Sequence, residues 1–181
     1  MNPGPFDASD VNAPVGLANF GSISFDPNPL VTVRAEIDNQ SGKVVALSFD
    51  YEDGTLQVQA FASPKNTQIL TEVIKDISEN LIAQGSKVTE QSGPFGTELL
   101  IELNTPEGDA AMRIFGFEGD RWLLKGSITG KGMDKLSVKT FLEDFYRGIV
   151  VDRSEVPLPP RELLPLTLPE GAIVPRSNFD R

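Results

Sequence analysis

The chain has neither cysteine nor histidine. These two gaps exclude disulfides, thiolate zinc sites, thiol nucleophiles, histidine-based serine triads and imidazole acid–base catalysis. Apolar runs are only a few residues long, far below the ~20 that span a bilayer. The opening Met1-Asn2-Pro3-Gly4-Pro5-Phe6-Asp7 carries no basic or apolar secretory region, so a cytoplasmic location is expected. Positive charge is scarce: 16 basic residues face 26 acidic ones, a net charge of −10. Such a surface repels nucleic-acid phosphates and anionic membranes unless basic residues cluster, and no Lys/Arg run does so. Neither nucleic acid nor membrane is expected as a partner.

What is present is strand and helix patterning. The single tryptophan lies in Arg121-Trp122-Leu123-Leu124-Lys125-Gly126-Ser127-Ile128, where Trp122, Leu124 and Ile128 share one parity. That alternation predicts a strand with one buried face. Val31 to Ile37, Val45 to Tyr51 and Leu56 to Phe61 alternate likewise, separated by Asp38-Asn39-Gln40-Ser41-Gly42 and Glu52-Asp53-Gly54. These predict a three-stranded meander. Ile69, Leu70, Val73, Ile74, Ile77, Leu81 and Ile82 recur at helical spacing, with Asn66 or Thr67 as N-cap and Gly85 just past the end. Strands follow at 87–90, 97–103, 111–117 and around Trp122, then a helix at 134–147 with Val138, Phe141, Leu142 and Phe145 on its apolar stripe. The order βββ-α-ββββ-α implies an α+β fold, an antiparallel sheet of about six to seven strands carrying two helices.

The ends differ from this middle. Residues 1–30 hold five of fourteen prolines and read as an irregular arm, with 21–25 as a short edge strand. Residues 31–151 form the domain. Residues 152–181 hold six prolines with Leu158, Leu163, Leu164, Leu166 and Leu168 among them. A tail this apolar either packs along its own domain as extended chain or awaits a partner.

Candidate chemistry is thin. Gly126 to Gly132 looks like a phosphate loop but has three residues, not four, between its glycines, and Gly132 after Lys131 where Ser or Thr belongs. Asp50, Glu52, Asp53 and the Glu107/Asp109 pair lack the alternate spacing of a calcium loop, and turn chemistry accounts for them. No metal or cofactor site is assigned. Glu98, Glu102, Arg113, Arg121 and Lys125 read as the polar side of the later strands. They make cross-strand ion pairs, or Arg113, Arg121 and Lys125 line a groove for an anion or peptide. Phe115, Phe117, Phe141, Phe145 and Trp122 suit a core, with a ligand pocket as the alternative.

Gly4-Pro5-Phe6-Asp7, Leu56 to Pro64, Gly93 to Leu99, Arg121 to Gly126 and Pro157 to Arg161, in that order, resemble the actinobacterial domain-of-unknown-function 3710 family. Leu123 and Lys125 stand where the family pattern has an aromatic or aliphatic residue and Arg. The resemblance spans both ends, implying that they are working parts of the domain. It carries no catalytic residue onto the chain. The gene neighbourhood of such proteins often includes a dUTPase, which keeps a nucleotide-related ligand as an alternative. The element order is compatible with a Mog1/PsbP-like sandwich, a fold used by non-enzymatic accessory proteins.

The expectation is a non-enzymatic accessory module that meets an unidentified protein partner through its sheet face and tail. Arg113, Arg121, Trp122, Lys125, Leu163, Leu164, Leu166 and Leu168 are the candidate contacts. The alternatives are a small-ligand or anion-binding enzyme using carboxylates and arginines, and a homodimer that exchanges tails.

Overall fold

The computed structural model describes residues 4–106, 108–130, 134–169 and 176–179. Three short strands come first, β1 Phe6–Asp7, β2 Ala18–Asn19 and β3 Ile23–Phe25. The meander follows as β4 Thr32–Asp38, β5 Val44–Tyr51 and β6 Gly54–Ala62, then helix α1 Leu70–Ala83. Next come β7 Lys87–Gly93, β8 Gly96–Thr105, β9 Gly108–Glu118 and β10 Trp122–Gly130, then helix α2 Leu136–Arg147. Strands β11 Val150–Val151 and β12 Arg176–Phe179 complete the order.

The large sheet runs β12-β4-β5-β6-β10-β9-β8-β7, antiparallel throughout except that β12 lies parallel to β4. The fold is therefore α+β around an antiparallel sheet, as the patterning predicts. Neighbouring residues of a strand point to opposite faces, and β9 shows where the helices go. Phe115 joins a core with Val138, Leu142 and Tyr146 of α2, whereas Ile114 joins Leu99, Ile101 and Ile74 of α1. The helices cover opposite faces of one sheet.

Helix α1 is not started by Asn66 or Thr67. Ile69 occupies the N-cap without a side-chain cap, and the carboxylate of Glu118, on β9, accepts from the Ile69 and Leu70 backbone N–H groups at 2.6 and 3.1 Å. An acid at this position satisfies orphan donors and complements the helix dipole. The cap is tertiary, so local sequence could not reveal it.

The first thirty residues do more than lie on the surface. β1, β3 and β2 join β11 in a second sheet, order β1-β11-β3-β2, and Phe20, Ile23 and Phe25 enter the α2-side core. The tail is built in as well. β5 pairs with β6 only from Leu47 onward. Beyond that point tail residues bond to β6: Leu164 N donates to Ala60 O and Ala62 N to Glu162 O, each at 2.8 Å. The tail then bridges to the small sheet, with Ser22 N on Pro165 O at 3.1 Å and Thr167 N on Phe20 O at 3.0 Å. Gly21 makes that crossing possible. Its φ is +86°, and a Cβ would lie 2.9 Å from both Pro165 O and Thr167 N. A side chain fits neither the conformation nor the space.

Candidate functional site

An open cleft of about 610 Å³ lies between the β7–β8 hairpin and the first half of α2. The register Leu100↔Arg113 and Ile128↔Arg113 puts the Arg113 side chain on the α2 face, diagonal to Glu98. Arg113 Nε and Nη2 reach the two oxygens of Glu98 at 3.0 and 2.9 Å, and Nη1 reaches Glu143 Oε1 on α2 at 2.7 Å. All three are buried, with Arg113 and Glu98 only 3% and 2% exposed. Gln91 Nε2 donates to Glu98 Oε1 at 2.8 Å. Gly93 leaves the room for this packing, because a Cβ there would run into the Glu98 carboxylate.

Burial opposes the guanidinium charge, and the bonds to Glu98 and Glu143 more than offset it, holding the Arg113 pKa above the usual value. The planar fork suits this geometry, since two donors match one carboxylate and a third reaches across. Two carboxylates against one guanidinium leave a formal charge of −1 beneath the cleft. The cluster joins helix to sheet, and a ligand anion would meet an arginine that already faces two carboxylates. At the mouth stand Lys139 and Asp134. Among the described residues no group of three or more acidic side chains is placed to hold a metal ion.

The other expected residues separate. Glu98 and Arg113 do meet, but Glu102 pairs with Lys87 at the exposed end of β7, at 3.1 Å. Lys125 stands opposite Gln59 and Gly116, on the α1 side, so it shares no groove with Arg113. The shared polar parity expected for these strands fails because β9 turns Arg113 toward the same face as Phe115. Lys125 is half-buried, and that burial pushes its pKa down. Trp122 is 1% exposed and its indole N–H donates to Asp7 Oδ2 at 2.7 Å. The Asp7 carboxyl is penalised by burial, yet its hydrogen bonds from Ser9 and Trp122 hold it below the usual range.

Arg121 lies in the turn before β10 at φ +66°, its carbonyl accepting from Ser63 N at 2.9 Å and Arg153 Nε at 3.0 Å. In the tail, Leu164 is 3% exposed, while Leu163, Leu166 and Leu168 are half-buried. Glycines 126 and 130 end up in β10; residues 131–133 and Glu107 lie outside the described residues. Asp50 is bonded to Arg34 at 2.6 Å and Glu52 to Lys135 at 2.7 Å, so these turn acids serve as ion-pair partners.

Sequence reasoning missed Glu143 and Gln91. Glu143 follows Leu142 on a helix whose Lys139 stands four residues back, a spacing that reads as a solvated pair. Only the packing of α2 over Arg113 distinguishes it.

Residues 4–173 match the sequence model of a family described as protein of unknown function (DUF3710), and the chain belongs to that family. No curated protein matches it. Among solved structures, the solution structure of cyanobacterial PsbP (CyanoP) from Synechocystis sp. PCC 6803 is similar at 12% identity, covering 82% of this chain and 99% of that one, with a TM-score of 0.41. Among the described residues no helix is long and apolar enough to cross a membrane.

Proposed function

We propose that this member of the DUF3710 family is a non-enzymatic accessory module of the actinobacterial cytoplasm, working by contact with a protein partner. The observation that carries the reading is the pairing of Arg113. The residue best placed to bind or polarise a substrate already faces Glu98 and Glu143 and ties α2 to the sheet. Its surface supports the same reading, with a net charge of −10 and several large aliphatic side chains exposed, Val11, Val15 and Leu30 among them. Arg121, Lys125 and the half-buried flank of Leu163, Leu166 and Leu168 remain candidate contacts at the junction of tail and sheet. No cofactor and no nucleic acid enter the proposal.

The test uses the full chain in two arms, capture of partners under native conditions and a thermal-shift series with nucleotides and small anions. A stoichiometric protein partner with no ligand-dependent shift supports the proposal. A saturable shift that Lys139→Met removes would overturn it in favour of a small-ligand protein. The open cleft above the buried Glu98–Arg113 pair favours that alternative. A homodimer that exchanges tails is separated by light scattering, where a monomer mass rejects it.

A further inference from the structure

A second cleft, about 250 Å³, lies between the loop after β3 and the flank of α2 that carries Phe141 and Phe145. Phe141 and Phe145 line it, with Asp26 and Asp144 at its edge. Both rings are fixed from behind. Phe141 stacks on Tyr51 at 3.6 Å between centroids, and Phe145 packs against Phe49 at 4.7 Å. The loop is fixed too, because Asn28 Oδ1 accepts from Leu30 N at 2.9 Å and Asn28 O from Val31 N at 3.1 Å.

The charges select the occupant. The Asp26 carboxylate is exposed and makes no side-chain bond or ion pair among the described residues. Asp144, its side chain 65% exposed, meets only Arg147 Nη1 among the described residues, at 2.7 Å. Asp26, Asp144 and Arg147 sum to −1 in a chain whose net charge is −10. An anion is repelled. An apolar side chain would cover the rings but strip water from carboxylates it cannot bond. A flat cation satisfies both demands, because its face lies on the aromatic rings while its N–H groups reach the carboxylates. The volume suits the end of one side chain, and Leu30, 66% exposed on the same loop, offers an apolar surface to its neighbour.

From this juxtaposition we infer that the Asp26–Phe141–Phe145–Asp144 cleft binds an arginine side chain of the partner protein, flanked by an apolar residue. The inference rests on the accessory reading above, and the experiment separates the two. The probe is acetyl-arginyl-leucine amide, titrated into the full-length ¹⁵N-labelled chain. Saturable shifts confined to Asp26, Asn28 and Phe145 amides are expected, with ring-current shifts on the probe's arginine methylenes. Asp26→Asn with Asp144→Asn should weaken binding about tenfold or more, the loss of charge-assisted bonds at two exposed positions whose one side-chain bond among the described residues is the surface pair of Asp144 with Arg147.

The neutral citrulline analogue should not saturate, and the lysine analogue should bind less tightly. Equal binding of citrulline, or shifts elsewhere on the molecule, overturns the proposal. So does the absence of saturation by arginine. A partner captured equally by wild type and the double Asn variant would sink the cleft assignment and leave the accessory role standing. Binding of the arginine probe with no partner captured would do the reverse.

Discussion

Replacing Arg113 with Met tests whether the ion cluster is as dry as its burial implies. Met nearly fills the volume of the arginine stem but takes the guanidinium from two buried carboxylates, Glu98 at 2% and Glu143 at 8% exposure, and leaves Glu98 the bond from the Gln91 amide. Breaking a buried ion pair from one side typically costs 3–5 kcal/mol, because the charge left behind is desolvated without compensation. Here two acids lose the same counter-charge, so a loss of about 3–5 kcal/mol is a conservative expectation at pH 7. That is a large share of the roughly 5–15 kcal/mol stability of a domain. Urea unfolding followed by Trp122 fluorescence reads it directly, since the single tryptophan is core-packed.

Replacing the whole cluster, Glu98→Leu with Arg113→Met and Glu143→Leu, should recover most of the loss. An Arg113→Met chain within about 1 kcal/mol of wild type at pH 7, the range of exposed pairs, would refute the reasoning.

Gly21→Ala should lower stability by about 1–3 kcal/mol, the cost of a residue held in a disfavoured backbone region. Hydrogen exchange should accelerate at the Ala62 and Leu164 amides that join tail to β6, and unchanged exchange there would count against the bridge. Tyr146 is fully buried with its hydroxyl donating to Leu124 O at 2.6 Å, and burial raises its pKa well above the usual 10.0. Its raised folded pKa means that the contribution is complete below about pH 10 and is lost as the pH climbs above it. Tyr146→Phe should cost about 1–2 kcal/mol at pH 7 and show a smaller alkaline loss than wild type in urea titrations at pH 7 and 11. Burial lowers the Lys125 pKa, which penalises the charged form in the fold. Lys125→Met should therefore raise the urea midpoint at pH 7, with the gain fading toward the unfolded value near 10.5. Deleting residues 152–181 removes Leu164 from the core and the bonds to Ala60, Ala62, Phe20 and Ser22. The truncated chain should lose its cooperative transition and near-ultraviolet dichroism.

Much of the fold was legible because sheet and helix periodicity is local. Val45 to Tyr51 declares its inward face by alternation, and β5 occupies that stretch. Ile69 to Ile82 declares a helix, although Ile82 ends 56% exposed in its last turn. The rest depended on partners distant in sequence. Nothing in Leu163-Leu164-Pro165-Leu166 announces that β5 leaves β6 and opens a slot for it. Nothing in Ile23-Ser24-Phe25 announces Val150 and Val151 as its ladder. For the candidate site, Glu98 and Arg113 were readable as a cross-strand pair. Glu143 was not, because it arrives from a helix thirty residues downstream.

The stretches that carry the family resemblance occupy scaffold positions. Asp7 holds the Trp122 indole, Gly93 accommodates the Glu98 carboxylate, and Phe95 stacks on Phe115 at 5.0 Å beneath Arg147. Ala60 and Ala62 receive the tail, and Arg161 then reaches Asp76 on α1 at 2.6 Å. A signature made of such residues describes how both ends are fastened to the sheet and leaves the contact surface unspecified. The loop from Asp26 to Leu30 and Asp144 of α2 lie outside every one of those stretches. On the accessory role proposed above, exchanging these positions should change the partner while the fastening residues keep the fold. Grafting the exposed positions Asp26, Pro27, Pro29, Leu30 and Asp144 from another family member tests this directly. The graft should exchange the captured partner without moving the urea midpoint by more than about 1 kcal/mol equivalent, as expected for exposed substitutions. A graft that folds and keeps the original partner would place recognition elsewhere on the surface.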